Sequence, residues 1–351
     1  AFLIAEFLDI PYIEVVVAAA LPALIYYFIL FAQVDFMAKD NNLKGLSRSE
    51  LPRFSLLLKT RGLHLVPIFL LIFLMFGIGL QPAKSAIISG FSAFFFGLIM
   101  RESKLNKESL SSFVNSVSQT MIPIILIGGA AGIIVGVLNI TGLGFNLTLG
   151  LTEIGKNYGL ISMLVLTGMV AIILGMGMPT AAVYIVLSVV LAPAVIEMGI
   201  PVLAAHLFIF YFGLLSMITP PVAVASFVAA GIADASMWKT SFTAMKLGIA
   251  AYLLPFLFVF NDSLLFKGTW KEILYISLTC LVSGLILSHV LRDNLKSGFR
   301  QILSNCFYLM CSILIGTSTL WLGRDSNLII LVLLFGILLF YRANKNKKLD
   351  G

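Results

Sequence analysis

Residues 13–32 read IEVVVAAALPALIYYFILFA, twenty positions with a single charged side chain, Glu14. A helix of that length rises about 30 Å, the thickness of a bilayer's hydrocarbon core. The stretch does not alternate polar and apolar residues, as a strand of a membrane barrel would over about ten positions. It reads as a membrane-spanning helix.

The same pattern recurs along the chain. Further apolar runs cover His64–Leu80, Ser85–Met100, Met121–Ile140, Leu160–Gly175, Val202–Met217, Leu247–Phe260, Ile273–Leu291, Ile302–Leu322 and Leu328–Tyr341. Of the 351 residues, 60% are hydrophobic and 11% charged, against roughly 25% charged in an average soluble domain. A soluble fold could not hide that much apolar surface, so the expected class is an all-α, polytopic integral membrane protein in a lipid bilayer. Cys280, Cys306 and Cys311 all lie in apolar runs and lack metal-ligand spacing, and they read as small core or lipid-facing residues.

The net charge of +7 does not point to nucleic acid, because Lys and Arg fall between apolar runs rather than along one face. By the positive-inside rule the loop with Lys39, Lys44, Arg48, Arg53, Lys59 and Arg61 is cytoplasmic. Arg101, Lys104 and Lys107, the loop Arg292 to Arg300, and the tail Arg342 to Lys348 fall on the same side. Residues 13–32 then run inward, and Leu247–Phe260 runs outward.

These two oppositely directed segments resemble each other at a constant offset, pairing Phe2 with Phe227, Ala5 with Ala230, Asp9 with Asp234, Tyr27 with Tyr252 and Phe31 with Phe256. Opposite direction with matched sequence is the mark of inverted-topology repeats in secondary transporters. The chain also starts in mid-helix at Ala1, which leads to the expectation that an N-terminal portion, with the first copy of the residues before Ser226, precedes it.

Two stretches interrupt the apolar pattern. In Leu174-Gly175-Met176-Gly177-Met178-Pro179-Thr180, Gly and Pro break a helix where unwound backbone is tolerated only inside protein or beside a cavity. In Ser216-Met217-Ile218-Thr219-Pro220-Pro221, the two prolines donate no backbone hydrogen bond. Such breaks offer carbonyl oxygens to a cation and helix N-termini to an anion, and the hydroxyls of Thr180, Ser216 and Thr219 add oxygen ligands suited to a hard ion such as sodium. The same residues also read as helix kinks or plain inter-helix turns.

His206, beside Tyr211 in an apolar run, is a functional candidate or a hydrogen-bonded structural histidine. Gly128, Gly132 and Gly136 form a small-residue series expected to pack on another helix. Gly142-Leu143-Gly144 reads as a turn, and Glu153 with Lys156 as a solvated pair. No metalloprotease, phosphate-loop or nucleophile motif supports an enzyme.

Gly175 to Thr180 followed by AAVYIVL, then AHLFIFYFG at 205–213 and TPPVA at 219–223, resembles the large membrane (permease) subunit of TRAP transporters, specifically fused permeases that work with TAXI-type binding proteins. The resemblance covers about residues 1–268. It implies a bacterial inner-membrane, multi-pass permease for sodium-driven uptake of a small organic anion, often a carboxylate, delivered by a periplasmic TAXI-type solute-binding protein. It further implies an elevator mechanism with re-entrant hairpins and broken helices, no cofactor beyond the coupling ion, and a first-repeat hairpin lying outside this sequence.

On that resemblance Gly175, Gly177, Met178, Pro179 and Thr180 form a hairpin tip, and Ser216, Thr219, Pro220 and Pro221 the paired break. Sodium would be held through Gly175, Thr180 and Thr219 backbone or hydroxyl oxygens. The expected domains are residues 1–34 (end of the first repeat), 35–62 (cytoplasmic basic linker), 63–268 (second repeat) and 269–351 (additional helices and basic tail). The competing expectation is a stand-alone sodium- or proton-coupled organic-anion carrier.

Overall fold

The computed structural model describes residues 1–43, 45, 58, 62–99 and 107–292. The basic residues Lys44, Arg48, Arg53, Lys59, Arg61, Arg101 and Lys104, the last two apolar runs, Cys306, Cys311 and the basic tail lie outside them. All regular structure among the described residues is helical. The helices are α1 (Phe2–Leu8), α2 (Tyr12–Asp40), α3 (Val66–Ile72), α4 (Pro82–Ile99), α5 (Lys107–Thr141), α6 (Leu143–Tyr158), α7 (Leu160–Gly175), α8 (Thr180–Val190), α9 (Ala192–Glu197), α10 (Val202–Leu215), α11 (Val224–Ile232), α12 (Met237–Leu247), α13 (Ile249–Phe260) and α14 (Trp270–Arg292).

Tyr12–Asp40 and Met237–Phe260, in which α12 runs on into α13, are long and apolar enough to cross a membrane. The apolar helices α7, α8 and α10 have 16, 11 and 14 residues, which at about 1.5 Å per residue is too short to cross alone. α7 ends at Gly175, and α8 and α10 begin directly after Pro179 and Pro201.

The chain divides into two compact units. One comprises residues 1–14 and 43–133; in it Phe2 stacks on Tyr12 with ring centroids 4.3 Å apart, and Ser89 donates its hydroxyl to the carbonyl of Pro67. The other comprises residues 15–42 and 134–351 and holds both sequence breaks.

α10 is the centre of that second unit. It is apolar on all sides, and Ala204 to Ile209, Phe212, Gly213 and Leu215 are buried, as expected of a helix without a polar face. It packs against α7, α8 and α13. Glycine allows the close approach: a Cβ on Gly213 would lie 2.6 Å from Val183 Cγ1, and one on Gly168 2.9 Å from Phe212 Cε1. Phe208, Phe212 and Phe256 fill the α10–α13 contact with ring centroids 4.9 to 5.6 Å apart.

The 225-residue offset (237 − 12) recurs in the backbone. α2 begins at Tyr12 and α12 at Met237, and each is preceded by a residue in the left-handed region, Asp9 at φ 50° and Asp234 at φ 48°. An aspartate tolerates that conformation better than most side chains, and the two short helices before them, α1 and α11, end at matching turns.

Several sequence expectations change. Lys156 pairs with Glu197 at 3.8 Å rather than with Glu153, because α6 lies against α9. No described atom lies within 4 Å of a Cβ built on Gly132 or Gly136, so the glycine series does not seat a described helix there. Gly142 makes the expected turn at φ 66°, and Cys280 is buried.

Candidate functional site

α7 ends at Gly175 and α8 starts at Thr180, so the first break spans Met176 to Pro179. Pro179 is the N-cap of α8, where its missing N–H and fixed φ suit a helix start. Gly177 turns the chain at φ 77°, a conformation that a residue with a Cβ rarely holds. The turn is closed by Met176 N–H to Ile173 O and Met178 N–H to Gly175 O. Thr180 is exposed.

The second break follows α10. Ser216 caps the helix, buried to 1% exposure, and donates its hydroxyl to Gly213 O at 2.6 Å. Ile218 N–H and Thr219 N–H both reach Leu215 O, and Ala225 N–H reaches back across the prolines to Met217 O at 3.0 Å. The Pro220–Pro221 peptide is cis. Ala223 opens α11 in the left-handed region at φ 35°, and a non-glycine residue held there stores backbone strain of the kind found at functional turns.

The two breaks meet. A Cβ on Gly175 would lie 2.8 Å from Ser216 Oγ and 3.1 Å from Gly213 O, and one on Gly177 3.8 Å from Val222 Cγ1. A glycine at the end of α7 and a capping serine at the end of α10 are thus in direct contact. Two helix C-termini, each carrying carbonyls without an onward helical partner, lie side by side. That arrangement concentrates negative partial charge together with hydroxyl oxygens, a setting for a hard cation rather than for an anion.

Thr219 is held twice. Its hydroxyl reaches Leu215 O at 2.6 Å and Tyr252 Oη at 2.6 Å. The carbonyl only accepts, so Thr219 donates its single proton to Leu215 and receives the proton of Tyr252.

His206 belongs to a different place. It lies ten residues before Ser216 (216 − 206) on α10, about 15 Å along the axis at 1.5 Å per residue. Its Nδ1 is 2.8 Å from the hydroxyl of Tyr184 on α8, and both residues are buried. The histidine is a hydrogen-bonded tie between two helices and touches neither break.

Sequence reasoning missed Gly213, whose carbonyl holds Ser216, and Tyr252, which holds Thr219. The tyrosine carried a signal as the counterpart of Tyr27, but nothing in the sequence pointed to its hydrogen bond. Among the described residues no three His, Cys, Asp or Glu side chains gather as a metal cluster.

No match is found among curated proteins or among solved structures. The family model for the tripartite ATP-independent periplasmic transporter, DctM component, matches residues 1–273. The DctM component is part of a transporter and not an enzyme, and the helical structure and apolar spans of the described residues agree with that. The chain is an integral membrane protein that belongs to the DctM family, the large membrane component of TRAP transporters.

Proposed function

We propose that this chain is the permease component for sodium-coupled uptake of a small organic anion, a carboxylate, across the bacterial inner membrane, and that a periplasmic TAXI-type solute-binding protein delivers the substrate. The observation that carries the reading is the contact of the two breaks at Gly175 and Ser216. Paired helix ends at the meeting point of short apolar helices are how secondary transporters expose backbone oxygens to a coupling ion inside the membrane.

In this reading Gly175, Gly177, Met178, Pro179 and Thr180 form the tip of a hairpin made by α7 and α8. Ser216, Thr219, Pro220 and Pro221 form the opposing break, and sodium is coordinated by oxygens of Gly175, Thr180 and Thr219. Sodium orders both breaks, and the substrate then meets a preformed site. The matched helix starts and left-handed aspartates at a 225-residue offset support an inverted repeat, with residues 1–34 ending the first copy, 35–62 linking on the cytoplasmic side, 63–268 forming the second copy and 269–351 adding helices. The transport motion is elevator-like, with the hairpin and the broken helix moving together.

Uptake of radiolabelled organic acids into proteoliposomes, with the purified binding protein outside or omitted, tests this reading. Uptake that requires the binding protein supports it. Equal uptake without the binding protein identifies a stand-alone carrier instead.

A further inference from the structure

Ser226, on α11, is the one buried serine or threonine among the described residues whose hydroxyl has no partner; it is 3% exposed. The other buried hydroxyls of these two residue types are all bonded. Most of them donate to a carbonyl three or four residues back in their own helix, as Ser241 does to Met237 O, Ser277 to Ile273 O and Ser288 to Gly284 O. Ser226 is the third residue of α11, and four residues back the chain is not yet helical. The usual intrahelical partner of a buried serine is therefore out of its reach.

The backbone at the same place is also short of acceptors. A helix leaves its first N–H groups without an internal partner. At the start of α11 the Ala225 N–H is taken by Met217 O at 3.0 Å, while the N–H groups of Val224 and Ser226 have no acceptor among the described residues. Side chains of a helix lean toward its N-terminus, so the Ser226 hydroxyl opens to the same end as those two N–H groups. Three donors thus share the positive end of a nine-residue helix.

That helix end adjoins the joined breaks on their other side. Val222, which precedes α11, has its Cγ1 3.8 Å from a Cβ built on Gly177, so α11 begins next to the turn between α7 and α8. The carbonyls that end α7 and α10 suit a cation, and the N–H groups beyond Pro220 and Pro221 suit an anion. Residues 160–232, which include both breaks, contain no Lys or Arg. A negative charge brought here is met by N–H and O–H dipoles rather than by a cationic side chain.

We infer that the start of α11 seats the carboxylate of the transported anion, with the Val224 N–H, the Ser226 N–H and the Ser226 hydroxyl as its donors. The inference rests on the organic-anion reading above and names the residue that recognises the anion. A carboxylate accepts shorter and stronger bonds than a neutral oxygen does, and half-helix N-termini facing an anionic group recur at the broken helices of secondary transporters. A buried hydroxyl without a partner is destabilising. At Ser226 that cost is offset only when the anion is bound, which separates this role from packing.

The test is thermal unfolding of the intact purified chain in detergent, in sodium or potassium chloride, titrated with acetate, pyruvate, succinate or citrate. At least one acid is expected to raise the unfolding temperature of wild type in sodium. Without acid, Ser226→Ala should unfold at a higher temperature than wild type, because an unpaired buried hydroxyl is gone. It should keep the shift between potassium and sodium and bind that acid about tenfold or more weakly, the loss expected of one hydrogen bond to a charged group. Ser226→Cys fills nearly the same space with a weak donor and should lose affinity as well. Ser241→Ala, at a buried serine that is already bonded, should bind the acid as wild type does. Unchanged acid affinity in both Ser226 variants would overturn the inference and leave the anion reading standing. Affinity lost in Ser226→Ala but kept in Ser226→Cys would make Ser226 a packing residue, and loss of the sodium shift in both would move it to the ion site; either result overturns the inference. No acid shift in wild type would remove the anion reading together with this seat.

Discussion

Gly175 and Ser216 touch across the two breaks, the glycine Cα lying so near the serine that an added Cβ would come within 2.8 Å of Oγ and 3.1 Å of Gly213 O. The contact joins the end of α7 to the end of α10, and Ser216 is in turn pinned to Gly213 O. Gly175→Ala is expected to cost about 1–3 kcal/mol of stability, as overpacking of a filled site does, and to abolish sodium-stimulated uptake. Ser216→Ala in the same chain removes the nearest of the three crowding atoms and should restore part of the stability, read from thermal unfolding of the single and double variants.

Thr219→Val keeps the shape of the side chain and both prolines but removes the hydroxyl that bridges Leu215 O and Tyr252. The expected result is normal expression with the sodium concentration for half-maximal uptake raised by about tenfold or more, the scale of one lost polar contact to an ion. Unchanged sodium activation would remove Thr219 from the ion site.

Gly213→Ala should destabilise the second unit, because the new Cβ meets Val183 Cγ1 at 2.6 Å and Leu187 Cδ1 at 2.9 Å. Val183→Ala alone leaves a small cavity. Combined, the two substitutions should be milder than the sum of each, with a coupling of about 0.5–3 kcal/mol, as expected of residues in contact.

Tyr184→Phe leaves His206 Nδ1 without its hydroxyl at 2.8 Å in a buried position, at a cost of about 1–3 kcal/mol. Its sodium dependence should match wild type, because the hydroxyl that is removed is bonded to His206, ten residues before Ser216 on α10. A changed sodium requirement with unchanged stability would place the pair on the ion path after all.

The helices were legible because apolar length alone decides them. Leu160–Gly175 was read with the bounds that the structure shows, and the Gly and Pro residues marked both interruptions. The meeting of the interruptions was not legible, since it depends on Gly168 and Gly213 letting α7 and α8 close on α10, and many glycines in the chain do no such thing. Gly132 and Gly136 had the better-known spacing, yet a Cβ built on either meets no described atom within 4 Å. Lys156 shows the same limit, because a partner three residues away is visible in sequence while Glu197 is brought near only by the fold. The hydrogen bond of Tyr252 to Thr219 joins residues 33 apart in sequence, and no local pattern encodes it.

The central claim is that a sodium gradient drives this permease through oxygens at the joined breaks. Its most direct test is organic-acid accumulation in proteoliposomes holding the intact permease, with binding protein outside, under an inward sodium gradient and again with potassium replacing sodium. The account predicts accumulation above equilibrium only with the sodium gradient, and its loss in Gly175→Ala. Equal accumulation in potassium would contradict it.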